Sequence, residues 1–211
     1  MTPKMEGWTI VLAGHWNRMI FSPEWVGKHL FAANGDIETL VALMPVLPLV
    51  YRDEQVVMEV SQPRLVFHPR KANDVCLRRA EQMALRILRE LDDTPLIAVG
   101  VNFAFREENP PDKVLDIFNL TDGPELAGEG WEVQERKIVR KTTRGGSVLN
   151  LTLIYGPYGV DFEFNFHTES QDNEDCQAAL KDTAVGLKDT ALNILDTIYH
   201  LQPNCAEGDG R

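Results

Sequence analysis

Apolar and polar positions alternate most strictly near residue 160, where Val160, Phe162, Phe164 and Phe166 are interleaved with Asp161, Glu163, Asn165 and His167. A period of two puts successive side chains on opposite faces of a strand. One face of this segment is therefore predicted to lie in a core and the other in water or in a polar groove. The same pattern gives strands at Val148 to Tyr155, with Leu149, Leu151, Leu153 and Tyr155 on one face, and at Trp131 to Thr143. The turns Arg144-Gly145-Gly146 and Gly156-Pro157-Tyr158-Gly159 separate the three. Earlier in the chain, Trp8 to Phe21, Ile37 to Tyr51, Val56 to Val60 and Arg64 to His68 read as strand-bearing segments. Pro63 has no amide donor and suits a strand start or a sheet edge.

Helix starts are marked by caps. Ser22-Pro23-Glu24 combines an N-cap, a proline at the first helical position and an acidic first turn, and predicts a short helix to about Phe31. Asn109-Pro110-Pro111-Asp112 repeats that signal after a second strand, Leu96 to Arg106. Asn73-Asp74-Val75-Cys76 and Asn173-Glu174-Asp175-Cys176 open two long helices. The order of elements is thus the same in both halves. The expected fold class is α+β, a single domain of two pseudo-repeats of β-α-β-β-β-α (8–92 and 95–201). They form a mainly antiparallel sheet with two long helices packed on one face, followed by a flexible tail, 203–211. Residues 123–130 are a loop expected only in the second unit. The arrangement resembles TATA-binding-protein-like and helix-grip architectures, an analogy of fold that carries no function.

Within the last helix Leu180, Leu187, Ile194 and Leu201 recur every seven residues, with Ala184, Ala191 and Ile198 between them. Such a 4,3 seam suits a coiled-coil contact with another subunit; the simpler reading is packing on the chain's own sheet and on the other long helix. Charge is unevenly spread. The whole chain carries 21 Lys and Arg against 32 Asp and Glu, a formal charge of −11. From Arg64 to Arg89, however, seven bases face two acids, and from Phe164 to Leu201 seven acids face two bases. Arg78, Arg79, Arg86 and Arg89 on one helix and Asp182, Asp189 and Asp196 on the other are candidate interaction residues, paired within the chain or between chains. The overall acidity argues against nucleic acid as a partner.

No apolar run reaches the ~20 residues that span a bilayer, and the first residues lack the apolar core of a signal peptide. Three cysteines fit no disulfide framework. Both observations predict a cytoplasmic protein with no membrane partner. Phosphate loops, dinucleotide fingerprints, paired-His helices and Cys-x-x-Cys pairs are absent from the sequence. The weak metal candidates are His68 with Cys76 and His167 with Cys176, imidazole and thiol near strand-to-helix junctions; buried cysteines and solvated histidines explain them equally well. Trp16, Asn102, Phe103, Phe105 and Tyr155 are candidates for a groove on the sheet face opposite the helices, and Asp161, Glu163, Asn165 and His167 form an outward polar row. No cofactor is implied. The expected function is a non-catalytic interaction or assembly module, an adaptor or subunit with a protein partner or a homo-oligomeric state. The alternative is a small-molecule-binding protein or enzyme with its site in the sheet groove.

Overall fold

Ten strands form one open sheet in the computed structural model, which describes residues 1–31, 38–40, 48–144 and 147–204. The strands are β1 (Thr2–Pro3), β2 (Thr9–Gly14), β3 (Glu38–Leu40), β4 (Leu49–Arg52), β5 (Val56–Val60), β6 (Arg64–Pro69), β7 (Leu96–Glu107), β8 (Arg136–Arg144), β9 (Ser147–Gly156) and β10 (Gly159–Glu169). Their spatial order is β3-β4-β5-β6-β2-β7-β10-β9-β8, with β1 paired to the far end of β7. Every described pairing is antiparallel. The class is α+β. Of the strand predicted from Ile37, only β3 and β4 fall among the described residues. The Gly145-Gly146 turn, Cys205 and the tail from 205 onward lie outside them.

Register decides which side chains share a face. Phe162 lies opposite Phe105 and Leu153, Phe164 opposite Phe103 and Leu151, and Phe166 opposite Val101 and Leu149. Ile10 continues this face beside Val101 and Phe67, and Met58 lies opposite Phe67 and Tyr51. These residues belong to one buried core, sealed by the helices on that side. Tyr199 packs edge-on against Phe162, with ring centroids 4.9 Å apart. Burying a side chain of this size contributes about 1.5–3 kcal/mol.

The α-helices are α1 (Pro23–His29), α2 (Asp74–Glu90), α3 (Asp112–Leu115), α4 (Gly123–Gly128), α5 (Asn173–Leu180) and α6 (Ala184–Tyr199). Ser22 caps α1 by accepting from the Trp25 amide at 3.2 Å, and Asn73 caps α2 by accepting from Cys76 N at 2.9 Å. Three starts differ from expectation, and the first is α4, which lies in the segment 123–130 expected as a loop. Asp172, not Asn173, caps α5; the Asn173 amide instead donates to Leu88 O and Asp92 O at the end of α2, tying the two helices together. Pro111, not Asn109, precedes α3, which ends after one turn.

The expected long C-terminal helix is broken. Asp182 adopts φ +57° between α5 and α6, so the seven-residue seam does not run through one helix. The buried stripe of α6 is Ala184, Ala191, Leu195 and Tyr199, whereas Ile198 is 56% exposed. Glu81 explains how the break is held. This α2 carboxylate is 4% exposed and accepts from Thr183 N at 3.2 Å, where the free amides at the start of α6 favour negative charge. Burial raises its pKa, and the backbone amides of Thr183, Asp182 and Ala184 oppose the rise. Gly14 sits at a register shift, and a β-carbon there would lie 2.7 Å from Pro95 O.

Candidate functional site

Among the described residues the second face of the sheet lies outside the main core cluster, although Val66 and Ala104 are buried on it. Its centre is a chain of side-chain hydrogen bonds across four neighbouring strands. Asn102 of β7 donates to Thr9 Oγ1 of β2 at 2.8 Å, Asn165 of β10 donates to Asn102 Oδ1 at 2.6 Å, and Asn150 of β9 donates to Asn165 Oδ1 at 2.9 Å. Asn150 Nδ2 also lies 3.1 Å from His167 Nδ1, and His167 Nε2 lies 3.3 Å from Glu169 Oε1. The register makes this ladder: Asn165 stands directly opposite both Asn102 and Asn150, and Thr9 opposite Asn102. Cross-strand pairs of this kind contribute about 0.2–1 kcal/mol each.

At one end of the same face, Asp161 receives Arg106 Nε and Nη2 at 2.6 and 2.7 Å and Lys4 Nζ at 2.6 Å. The Asp161 side chain is 13% exposed. Burial pushes its carboxyl upward, but the hydrogen bonds from Arg106 and Lys4 outweigh burial and leave it below the ordinary aspartate value. A depressed folded-state pKa contributes stability that is present above the unfolded value and lost as pH falls through the folded one. Asp161→Asn should therefore cost about 1–2 kcal/mol at neutral pH, and the gap to wild type should close as pH drops below about 4. Urea titrations at several pH values measure it; a gap unchanged between pH 7 and pH 3 would refute this account.

The helix side holds a cavity of about 410 Å3 between α6 and the β8–β9 edge. Leu149 and Leu151 form its floor, Ile194 and Ile198 of α6 one wall, and Val114 and Ile117 another. Arg140 of β8 spans its rim and donates to Tyr199 Oη at 3.1 Å. Burial raises the Tyr199 pKa, against the pull of Arg140, so the phenol stays neutral and acts as an acceptor here. Among the described residues β8 pairs on one side only, with β9, and most of its side chains are exposed. Such an edge presents unpaired backbone amides and carbonyls.

The predicted groove residues do not meet on the open face. Phe103 and Phe105 are 1% and 0% exposed and flank Trp8 in the core. Trp16 is also in the core, with its indole donating to Leu12 O, and Tyr155 packs on Phe118 on the helix side. Only Asn102 of the five lies on the open face, because it sits at the other parity of β7. The metal candidates are likewise separated. His68 alternates with core residues of β6 and faces away from the helices, whereas Cys76 is buried in α2; His167 lies on the open face, whereas Cys176 is buried in α5 and donates to Ser170 O. Among the described residues no group of three His, Cys, Asp or Glu has metal-binding proximity. Burial lowers the His68 pKa while Glu59, 3.6 Å away, opposes the shift.

The charged helical residues do not pair as their sequence suggested. Arg79 turns inward to donate to Leu30 O at the end of α1, and Arg86 lies 3.8 Å from Glu90 on its own helix. Arg78 and Arg89 are exposed, as are Asp182, Asp189 and Asp196. The ion pair between the two helical regions runs the other way, from Lys188 of α6 to Asp74 of α2 at 2.5 Å. Beyond Asn102 and Asn165 the asparagine ladder has no sequence signal, since a ladder depends on register. The groove beside β8 is visible only once α6 is placed.

Fold and surfaces together define an α+β protein with an open antiparallel sheet, a polar ladder on one face and an apolar groove at one edge of the other. No family model and no curated protein matches the chain. No described helix is long and apolar enough to cross a membrane.

Proposed function

We propose that the chain is a non-catalytic interaction module whose docking site is the β8 edge and the apolar groove beside it. The carrying observation is the conjunction of a strand edge unpaired among the described residues with a cavity floored by Leu149 and Leu151 and walled by Ile194 and Ile198. Strand addition supplies affinity through backbone hydrogen bonds, and adjacent pockets take alternate side chains. Arg136, Lys137, Arg140, Lys141 and Arg144 all lie on β8, so the fitting partner is an extended acidic protein segment with bulky apolar residues at alternate positions. On the open face, by contrast, the asparagine amides spend hydrogen bonds on one another, as in a structural zipper.

A duplicated origin, two β-α-β-β-β-α units at 8–92 and 95–201 sharing one domain, is part of the same reading. In support, β6, β5 and β4 follow β2 outward on one side just as β10, β9 and β8 follow β7 on the other. Residence in a reducing compartment is consistent with Cys76 and Cys176, both free and buried.

The test is fluorescence-anisotropy titration with a labelled peptide that alternates Glu with Trp and Val. Ile198→Glu places a carboxylate at the groove wall on an already exposed position, and should weaken binding about tenfold or more while leaving the circular dichroism spectrum unchanged. Equal affinity for both proteins, or no binding up to about 1 mM peptide, would sink the proposal.

A further inference from the structure

Immediately before β8, residues 119–135 carry five acids, Asp122, Glu125, Glu129, Glu132 and Glu135, and no base. β8 follows with five bases and no acid. The two sets are neighbours in sequence, yet among the described residues no carboxylate of the first lies within 4.0 Å of a Lys or Arg nitrogen, and no base of the second within 4.0 Å of a carboxylate. The acidic segment also exposes large apolar side chains: Leu120 is 55% exposed, Leu126 38%, Trp131 70% and Val133 38%. A cluster of this kind next to unpaired charge marks a contact surface.

We propose that residues 119–135 of a second copy of this chain occupy the β8 edge and its groove, and that the exchange is reciprocal, giving a twofold dimer. The inference rests on the docking site proposed above and names its partner. Two features carry it beyond charge. First, the periods match. Arg140 and Thr142 of β8 border the apolar cavity, while Lys137, Val139 and Lys141 point to the other face of the sheet. In Trp131-Glu132-Val133-Gln134-Glu135, an extended backbone puts Trp131 and Val133 on one side and Glu132 on the other. Laid along β8, that segment sets its apolar side over the groove and Glu132 toward the lysines. Second, the segment cannot do this in its own chain. Glu135 is bonded to Arg136, the first residue of β8, and residues 132–135 run past the end of the strand beside Tyr155, Gly156 and Pro157. A second copy removes that constraint, and a twofold axis lets each copy give one segment and receive one. Pairing β8 with β8 would instead set five bases against five.

Sedimentation equilibrium on the full chain tests this. Wild type should be dimeric at about 50 mM salt and dissociate more readily at about 500 mM. Lys137→Glu with Lys141→Glu, and separately Glu132→Lys with Gln134→Lys, should each raise the dimer dissociation constant about tenfold or more, and an equimolar mixture of the two should recover dimers. Circular dichroism checks the fold of each. If either charge swap fails to fold, Trp131→Ala, at an exposed position, should weaken the dimer in its place. Dimers unaffected by the swaps, or no recovery on mixing, would overturn the proposal. A monomeric wild type that still binds the alternating peptide overturns self-docking alone; a monomer that binds no peptide takes the docking site down with it.

Discussion

Gly159→Ala is expected to destabilise the protein by about 3 kcal/mol or more. Gly159 opens β10 at φ +104°, a conformation that side chains rarely adopt, because the Gly156-Pro157-Tyr158-Gly159 hairpin must reverse the chain in two residues. Space is closed as well. A β-carbon at this position would fall 2.1 Å from Glu107 O and 2.8 Å from Glu108 Cα, both backbone atoms of the neighbouring β7 end. Neither can swing away as a side-chain tip would. Relief would require shifting the Val160 pairing with Glu107, and with it the register that aligns Phe162 with Phe105. For a chain of this length, each kcal/mol moves the melting temperature by roughly 2–4 °C, so a drop of about 6–12 °C should be seen by calorimetry. Gly186→Ala, on an exposed position of α6 with nothing within 4 Å, is the control that should not lose stability. A Gly159→Ala protein melting with wild type would show that the turn is looser than the structure describes.

Trp8→Ala should cost about 3–5 kcal/mol, measured by urea unfolding. Trp8 is 0% exposed immediately before β2, with its ring edge-on to Phe103 at 5.1 Å and to Phe105 at 5.6 Å. Its indole donates to Ala104 O at 3.0 Å, a carbonyl that also accepts from Lys4 N. The alanine variant therefore loses buried area and two aromatic contacts at the seam between β2 and β7, where the two sides of the sheet join, and leaves a cavity in the core. Ala104 O keeps one donor, so the packing loss dominates over the hydrogen-bond loss. Trp8→Phe should then recover more than half of the difference. A cost below about 1 kcal/mol for Trp8→Ala would mean that this seam is not a packed core.

How far these positions were legible differs by element. The strand at Val160 to Phe166 and the caps of α1 and α2 follow from local rules, and the structure places them where those rules put them. Proline and cap signals at Asn109 were real but overstated, because Pro111 takes the position before a helix of one turn. The seven-residue repeat from Leu180 was a true repeat of residues and a false guide to one helix. A left-handed residue at Asp182 breaks it, held by Glu81 from another helix, and no signal within the repeat itself reveals that partner. The groove expectation puts Trp16, Phe103, Phe105 and Tyr155 on the wrong face for a related reason. Alternation says which side chains point together, and the choice of face waits on where the helices pack.

By itself, then, the sequence determined most of the strands and the caps of α1 and α2, because each depends on spacing, dihedral preference or hydropathy within a few residues. Only the tertiary structure decided the strand order, the asparagine ladder, the inward turn of Arg79 and the apolar groove beside β8. Those arise where segments far apart in the chain meet, with Asn102 against Asn165 and Leu149 below Ile198. The physical reason is that hydrogen bonding and burial act through space, and the register that brings such residues together is set by whole strands rather than by the residues themselves.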